Sequence, residues 1–201
     1  FFTNYARGKK LSNCGIEDIH IGGLSLVPAL LAGLEAIDKT DDDYLIESTR
    51  ILIQGTHTHP ATLGAAHDLT RILIALNERA EIRSILQNLR LSNVPLNSIR
   101  TWENIPDRKV VGETLSTACY LPESFTASLY FAWKYHDDFT MAVLANAKAG
   151  GDNCHRGVVV GAIVAMQTGV PEIWLKKLKM MEKLRCDIQL MPNHKVLKRV
   201  I

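Results

Sequence analysis

The sequence is short of several things, and each shortage excludes something. No apolar run approaches the roughly 18 residues needed to span a bilayer, and no basic stretch followed by an apolar one opens the chain as a secretory leader would. Cysteine is scarce: Cys14, Cys119, Cys154 and Cys186 are widely spaced and make neither a CxxC pair nor a zinc-finger spacing. They read as reduced thiols of an intracellular, cytoplasmic protein, with a secreted protein the alternative that their even count leaves open. Net charge is also scarce, at +2 formal, which gives no electrostatic footprint for nucleic acid or an anionic membrane. The G-x-S-x-G elbow, the GxxxxGK[ST] phosphate loop and HExxH are all missing. There is no internal repeat and no low-complexity tract. The first residues are Phe1 and Phe2 rather than Met, so the chain reads as one domain, 1–201, lacking an N-terminal portion.

What is present is helical. Of the 201 residues, 47% are hydrophobic and 22% charged, ordinary for a globular domain with a core of its own. Leu24, Val27, Leu30, Leu31 and Leu34 fall on one stripe, which predicts a helix over 24–38. Thr40 reads as the N-cap of the next helix, with Asp41, Asp42 and Asp43 favouring its first turn. Apolar positions from Leu63 to Leu89 predict a long helix broken near Asn77. Further helices are expected over 110–120, 122–135, 138–148, 156–168 and 171–186, with 91–109 a loop or short helical turns. Strand content is expected to be near zero. The predicted fold class is all-α, a compact multi-helix bundle. The lysines and arginine between 176 and 185 read as a solvated helix face.

Three constellations are candidates for chemistry. The first is the stretch AKAGGDNCHRGVVVGAIVAMQTGVPEIW, residues 147–174. Gly150 and Gly151 permit backbone shapes and close approaches that other residues resist. Asp152 then opens a helix, where N–H groups and the dipole favour an acid; a plain N-cap is the simpler reading. Asn153, His155 and Arg156 add polarity beyond what a cap needs and suit the floor of a pocket, with Arg156 able to grip a phosphate or carboxylate. The uncharged run from Gly157 to Gln167, with Gly157 and Gly161 one turn apart, predicts close helix packing. The second constellation is Thr56, His57, Thr58 and His59 before Pro60, read as a hydrogen-bonding loop beside a pocket or as a capped helix start. A metal would need an extended segment and a third ligand. The third is Thr40-Asp41-Asp42, acids of an exposed first turn rather than an ion site.

These segments resemble the ADP-ribosylglycohydrolase family, which also takes in the J1 crystallins, and the resemblance is placed on the C-terminal two-thirds of the family pattern. FFTNYARGK is similar to its Phe-Phe-x-Asn segment, THTHPATLGAA to its Thr-His helix start, and the 138–174 stretch to its closing signature. The resemblance implies an orthogonal all-α bundle whose cleft binds ADP-ribose or an ADP-ribosylated substrate. It implies Mg²⁺ or Mn²⁺ at the cleft base and hydrolysis of an N- or O-glycosidic bond to ADP-ribose. Asp152 matches the first aspartate of the family's Gly-Gly-Asp-x-Asp-Thr loop, a metal ligand. Gly150, Gly151, Asn153, His155, Arg156, Thr56 and His57 are the expected substrate-binding residues. The chain departs from the pattern at Cys154, where the loop has its second aspartate, and at His155, where it has threonine. The family's own Thr-Asp-Asp motif lies upstream of Phe-Phe-x-Asn, so Thr40-Asp41-Asp42 does not correspond to it. Two readings stand: a metal-dependent hydrolase, or an inactive relative serving as a binding module or crystallin-like structural protein.

Overall fold

The structure, a computed structural model, describes residues 1–92 and 94–189. In chain order the helices are α1 (Phe2–Ala6), α2 (Val27–Ala36), α3 (Asp42–Gln54), α4 (Pro60–Asn77), α5 (Ile82–Asn88), α6 (Leu96–Thr101) and α7 (Asp107–Lys109). They are followed by α8 (Glu123–Lys134), α9 (Phe139–Ala149), α10 (Asn153–Thr168), α11 (Glu172–Leu175) and α12 (Met181–Gln189). A 3₁₀ segment, Ile21–Leu26, leads directly into α2. The described residues contain isolated bridges but no strand, so the fold class is all-α, as the periodicity predicts.

α10 is the central rod. Val159, Val160, Ile163 and Val164 have no exposed surface, and each such side chain contributes roughly 1.5–3 kcal/mol by leaving water. The helix packs on α9, α8, α4 and the 21–26 segment. Gly157 makes the α9 contact possible, since a Cβ there would lie 3.2 Å from the Asn146 amide. Gly161 is looser, with Phe139 4.0 Å away. α8 is buried along its length, from Ser124 to Trp133, as expected for an internal helix. Its buried hydroxyls are satisfied locally: Ser128 donates to the Ser124 carbonyl at 2.9 Å and Thr126 to that of Pro122 at 3.0 Å.

Several boundaries differ from the sequence reading. The N-cap of α3 is Asp41, whose carboxylate accepts from the Tyr44 N–H at 2.9 Å; Asp41 stands next to the first helical turn, and Thr40 does not. The helix expected over 110–120 is a single wide turn, Val110–Thr114, followed by irregular chain. Gly112, at φ +143°, takes a backbone shape that ends a helix. The expected 171–186 helix is two, α11 and α12, with turns between them. The break expected near Asn77 falls between α4 and α5, where Arg79 turns the chain at φ +68°.

Candidate functional site

The site is built where three distant segments meet at the entrance of α10. The loop before the helix is fixed by its glycines. Gly150 and Gly151 both have positive φ, +82° and +70°. A Cβ on Gly151 would sit 2.0 Å from the Thr117 carbonyl oxygen, so only glycine fits. The same carbonyl accepts from the Asp152 N–H at 3.0 Å, which ties the loop to the 115–121 segment.

Arg156 completes the tie. It lies one turn into α10 with no exposed surface. Its guanidinium donates to Asn146 Oδ1 at 2.6 Å, the Gly150 carbonyl at 2.7 Å, the Thr117 carbonyl at 3.3 Å and Asn153 Oδ1 at 3.4 Å. Burial pulls its pKa below the ordinary arginine value, and the charge of nearby Asp152 opposes that. All three guanidinium nitrogens turned on the protein's own carbonyls and amides make Arg156 an internal strut rather than a grip on an incoming anion. Asn153 belongs to the same lattice: its backbone carbonyl accepts from the Asn146 amide at 3.0 Å.

With the loop pinned, Asp152 is presented at the helix entrance. Its Oδ1 is 3.5 Å from the His155 backbone N–H, a long cap, and 2.9 Å from His155 Nδ1; its Oδ2 is 3.0 Å from that same nitrogen. A carboxylate only accepts, so His155 Nδ1 carries the proton. On the other side His20 Nε2 lies 3.9 Å from Asp152 Oδ2, and the two imidazoles meet edge to face at 4.8 Å. His155 is the more open of the pair, its side chain 42% exposed.

His20 arrives on the chain before α2. Backbone pairing places it: Ile21 N–H donates to the Cys119 carbonyl and Leu121 N–H to the Ile19 carbonyl, both at 2.9 Å. Those contacts also bring Cys119 alongside. His20, Cys119 and Asp152 thus offer three ligand atoms within 4.8 Å of one another, each residue partly buried. Glycines let the imidazoles close in: a Cβ on Gly22 would meet His20 at 2.6 Å and His155 at 3.1 Å, and one on Gly23 would meet His57 at 3.0 Å. His57 therefore borders the same turn. Its Nδ1 is 2.9 Å from Thr56 Oγ1, and burial lowers its pKa below the ordinary histidine value, with Asp18 opposing and His20 adding.

The expected site residues accordingly divide. Asp152, His155, Gly150 and Gly151 form one surface, with Thr56 and His57 next to it through the 21–26 turn. Asn153 and Arg156 stand behind that surface and hold it. Sequence reasoning missed His20, Cys119, Thr117 and Asn146. His20 carries a faint signal, as a histidine before Gly22-Gly23; the others carry none in a single sequence. His59 serves as the N-cap of α4, accepting from Ala61 N–H at 3.1 Å, and Cys154 is exposed and outside the cluster. Farther along α10, a cavity of about 430 Å³ lined by Leu31, Leu73, Ala162, Met166, Glu35 and Glu78 shares no residue with this site. No described helix is long and apolar enough to cross a membrane.

Among the described residues, the central helix of an all-α bundle thus opens on a Gly-Gly-Asp loop, beside a group of three side chains that could hold a metal ion. The model of the ADP-ribosylglycohydrolase family matches residues 1–199, and the chain belongs to that family. The match runs over essentially the whole chain, which corrects the narrower placing on a C-terminal two-thirds. Comparison with curated proteins returns no match.

Proposed function

We propose that the protein hydrolyses a glycosidic bond between ADP-ribose, or a related nucleotide-sugar, and an attached group, in a metal-dependent reaction. The observation that carries this reading is the Gly150-Gly151-Asp152 loop, pinned by Thr117 and Arg156 so that Asp152 faces His20 and His155. A rigid carboxylate at a helix entrance holds a cation or a ribose hydroxyl without reorganising as the reaction proceeds. His155, its Nδ1–H committed to Asp152, keeps its other ring nitrogen for a substrate hydroxyl or water. Thr56 and His57 supply the neighbouring wall. The Mg²⁺ or Mn²⁺ read from the resemblance prefers a shell of oxygens. Here it meets one carboxylate among nitrogen and sulfur donors, a poor fit.

One observation favours the second reading, a non-catalytic binding module. Both oxygens of Asp152 are already engaged by His155, and the aspartate doubles as a cap on its own helix. The experiment that separates the two measures free ADP-ribose released from an ADP-ribosylated protein, with each divalent cation in turn. Release that disappears in Asp152→Ala supports the hydrolase. Absence of release with every cation, together with a raised melting temperature in ADP-ribose, supports the binding module.

A further inference from the structure

We propose that His20, Cys119 and Asp152 form a three-ligand site for a borderline divalent cation of the zinc type, with the fourth position open to water or a substrate hydroxyl. The donor set is one imidazole nitrogen, one thiol sulfur and one carboxylate oxygen, all within 4.8 Å of one another. Donors 2.0–2.3 Å from a tetrahedral ion lie roughly 3.5 Å apart. His20 Nε2 and Asp152 Oδ2, at 3.9 Å, are already near that spacing, and Cys119 has only to close in by about an ångström on the same scale. Nitrogen and thiolate select zinc, cobalt or iron over magnesium, which takes oxygen. Three protein ligands with an open fourth position are the arrangement of a reactive zinc centre rather than a structural one.

The surroundings suit the role. His155 Nδ1–H holds both oxygens of Asp152 from behind, the kind of outer contact that orients a ligating carboxylate. All three ligands are partly buried rather than sealed, which leaves an entry path. Ligation has two proton consequences. Cys119 loses its thiol proton to solvent. His20 must carry its proton on Nδ1, where the Gly22 N–H now donates at 2.8 Å, so binding releases that backbone contact.

The inference rests on the donor set and not on the glycohydrolase reading, and its test needs no substrate. The chain is titrated with Co²⁺ and then Zn²⁺ while the absorption spectrum is followed. We expect one equivalent of Co²⁺ to give a thiolate-to-cobalt charge-transfer band in the near ultraviolet with intense visible bands, and Zn²⁺ to displace it. Cys119→Ser should abolish the ultraviolet band and weaken Zn²⁺ binding at least tenfold, while Cys154→Ser leaves both unchanged. His20→Gln should weaken binding similarly with the melting curve of the metal-free chain preserved. A 100-fold excess of Mg²⁺ should leave the spectrum untouched. Absence of the band, its survival in Cys119→Ser, or its loss to Mg²⁺ would overturn the site. The ADP-ribose release assay would still stand on its own outcome.

Discussion

Arg156 is the largest side chain in the described chain with no exposed surface, and its value depends on its partners. A buried guanidinium that loses an acceptor keeps its desolvation cost. Asn146→Ala removes the 2.6 Å contact and should destabilise the fold by about 1.5–3 kcal/mol, read as a shift in the urea midpoint with an unchanged slope. Gly151→Ala is expected to do more at the site than to the fold. At φ +70° with the Thr117 oxygen 2.0 Å from its new Cβ, the loop must move, costing roughly 1–3 kcal/mol, and Asp152 moves with it. Cation binding followed by absorption should fall further than the melting temperature does. The sequence announced polarity at 152–156 but not its direction. One string shows an arginine beside an aspartate and gives no sign that the donors turn inward, because Asn146 and the Thr117 carbonyl come from elsewhere in the chain. Asp152 was legible because a helix entrance favours an acid wherever the helix goes. Cys119 and His20 were not, since they share no spacing and meet only through the Ile21–Cys119 and Leu121–Ile19 backbone pairs.

At the scale of elements, local chemistry decided most of the outcome. Pro60 opens α4 with His59 as its cap, and Asp152, Asp138 and Asp41 each cap a helix. Periodicity misled where a glycine overruled it. Val110, Val111 and Leu115 are apolar and buried, so the pattern read as helix. Gly112 instead bends the chain so that its N–H meets the Leu115 carbonyl at 2.7 Å. Where a glycine has no such task it is only a cost. Gly33, inside α2, would present a Cβ to open space, so Gly33→Ala should stabilise by about 0.5–1 kcal/mol, seen as a higher urea midpoint. Ile163→Ala, in the centre of α10 with no exposed surface, should cost roughly 2–5 kcal/mol by the same measurement.

For the whole molecule, pH gives the broadest test. Asp107 joins α7 to α8 by accepting from Tyr130 at 2.8 Å, Lys134 at 2.9 Å and Tyr135 at 2.7 Å. Burial pushes its carboxyl up, but these three hydrogen bonds outweigh burial and leave it below the ordinary range. Burial first, and then Asp107, push both tyrosine hydroxyls above theirs. The signs follow from linkage. The Asp107 contribution is present above its unfolded value near 3.9 and is lost as pH falls through the lowered folded value. The tyrosine contribution is present below about 10 and is lost as pH rises through the raised folded values. Urea midpoints should therefore sag at both ends. Asp107→Asn should shallow the acid limb and Tyr135→Phe the alkaline one; parallel shifts without a change of shape would show that the clamp does not govern these limbs.

The chelating trio also has a place in time. His20 leaves the ribosome first, Cys119 follows, and Asp152 is made about 130 residues after His20. At 5–20 residues per second that interval is roughly 7–26 s. Throughout it the nascent chain displays an imidazole, and then a thiol, with no carboxylate to join them. A cation that needs all three cannot be held while the early helices form. Loading then belongs to the finished molecule.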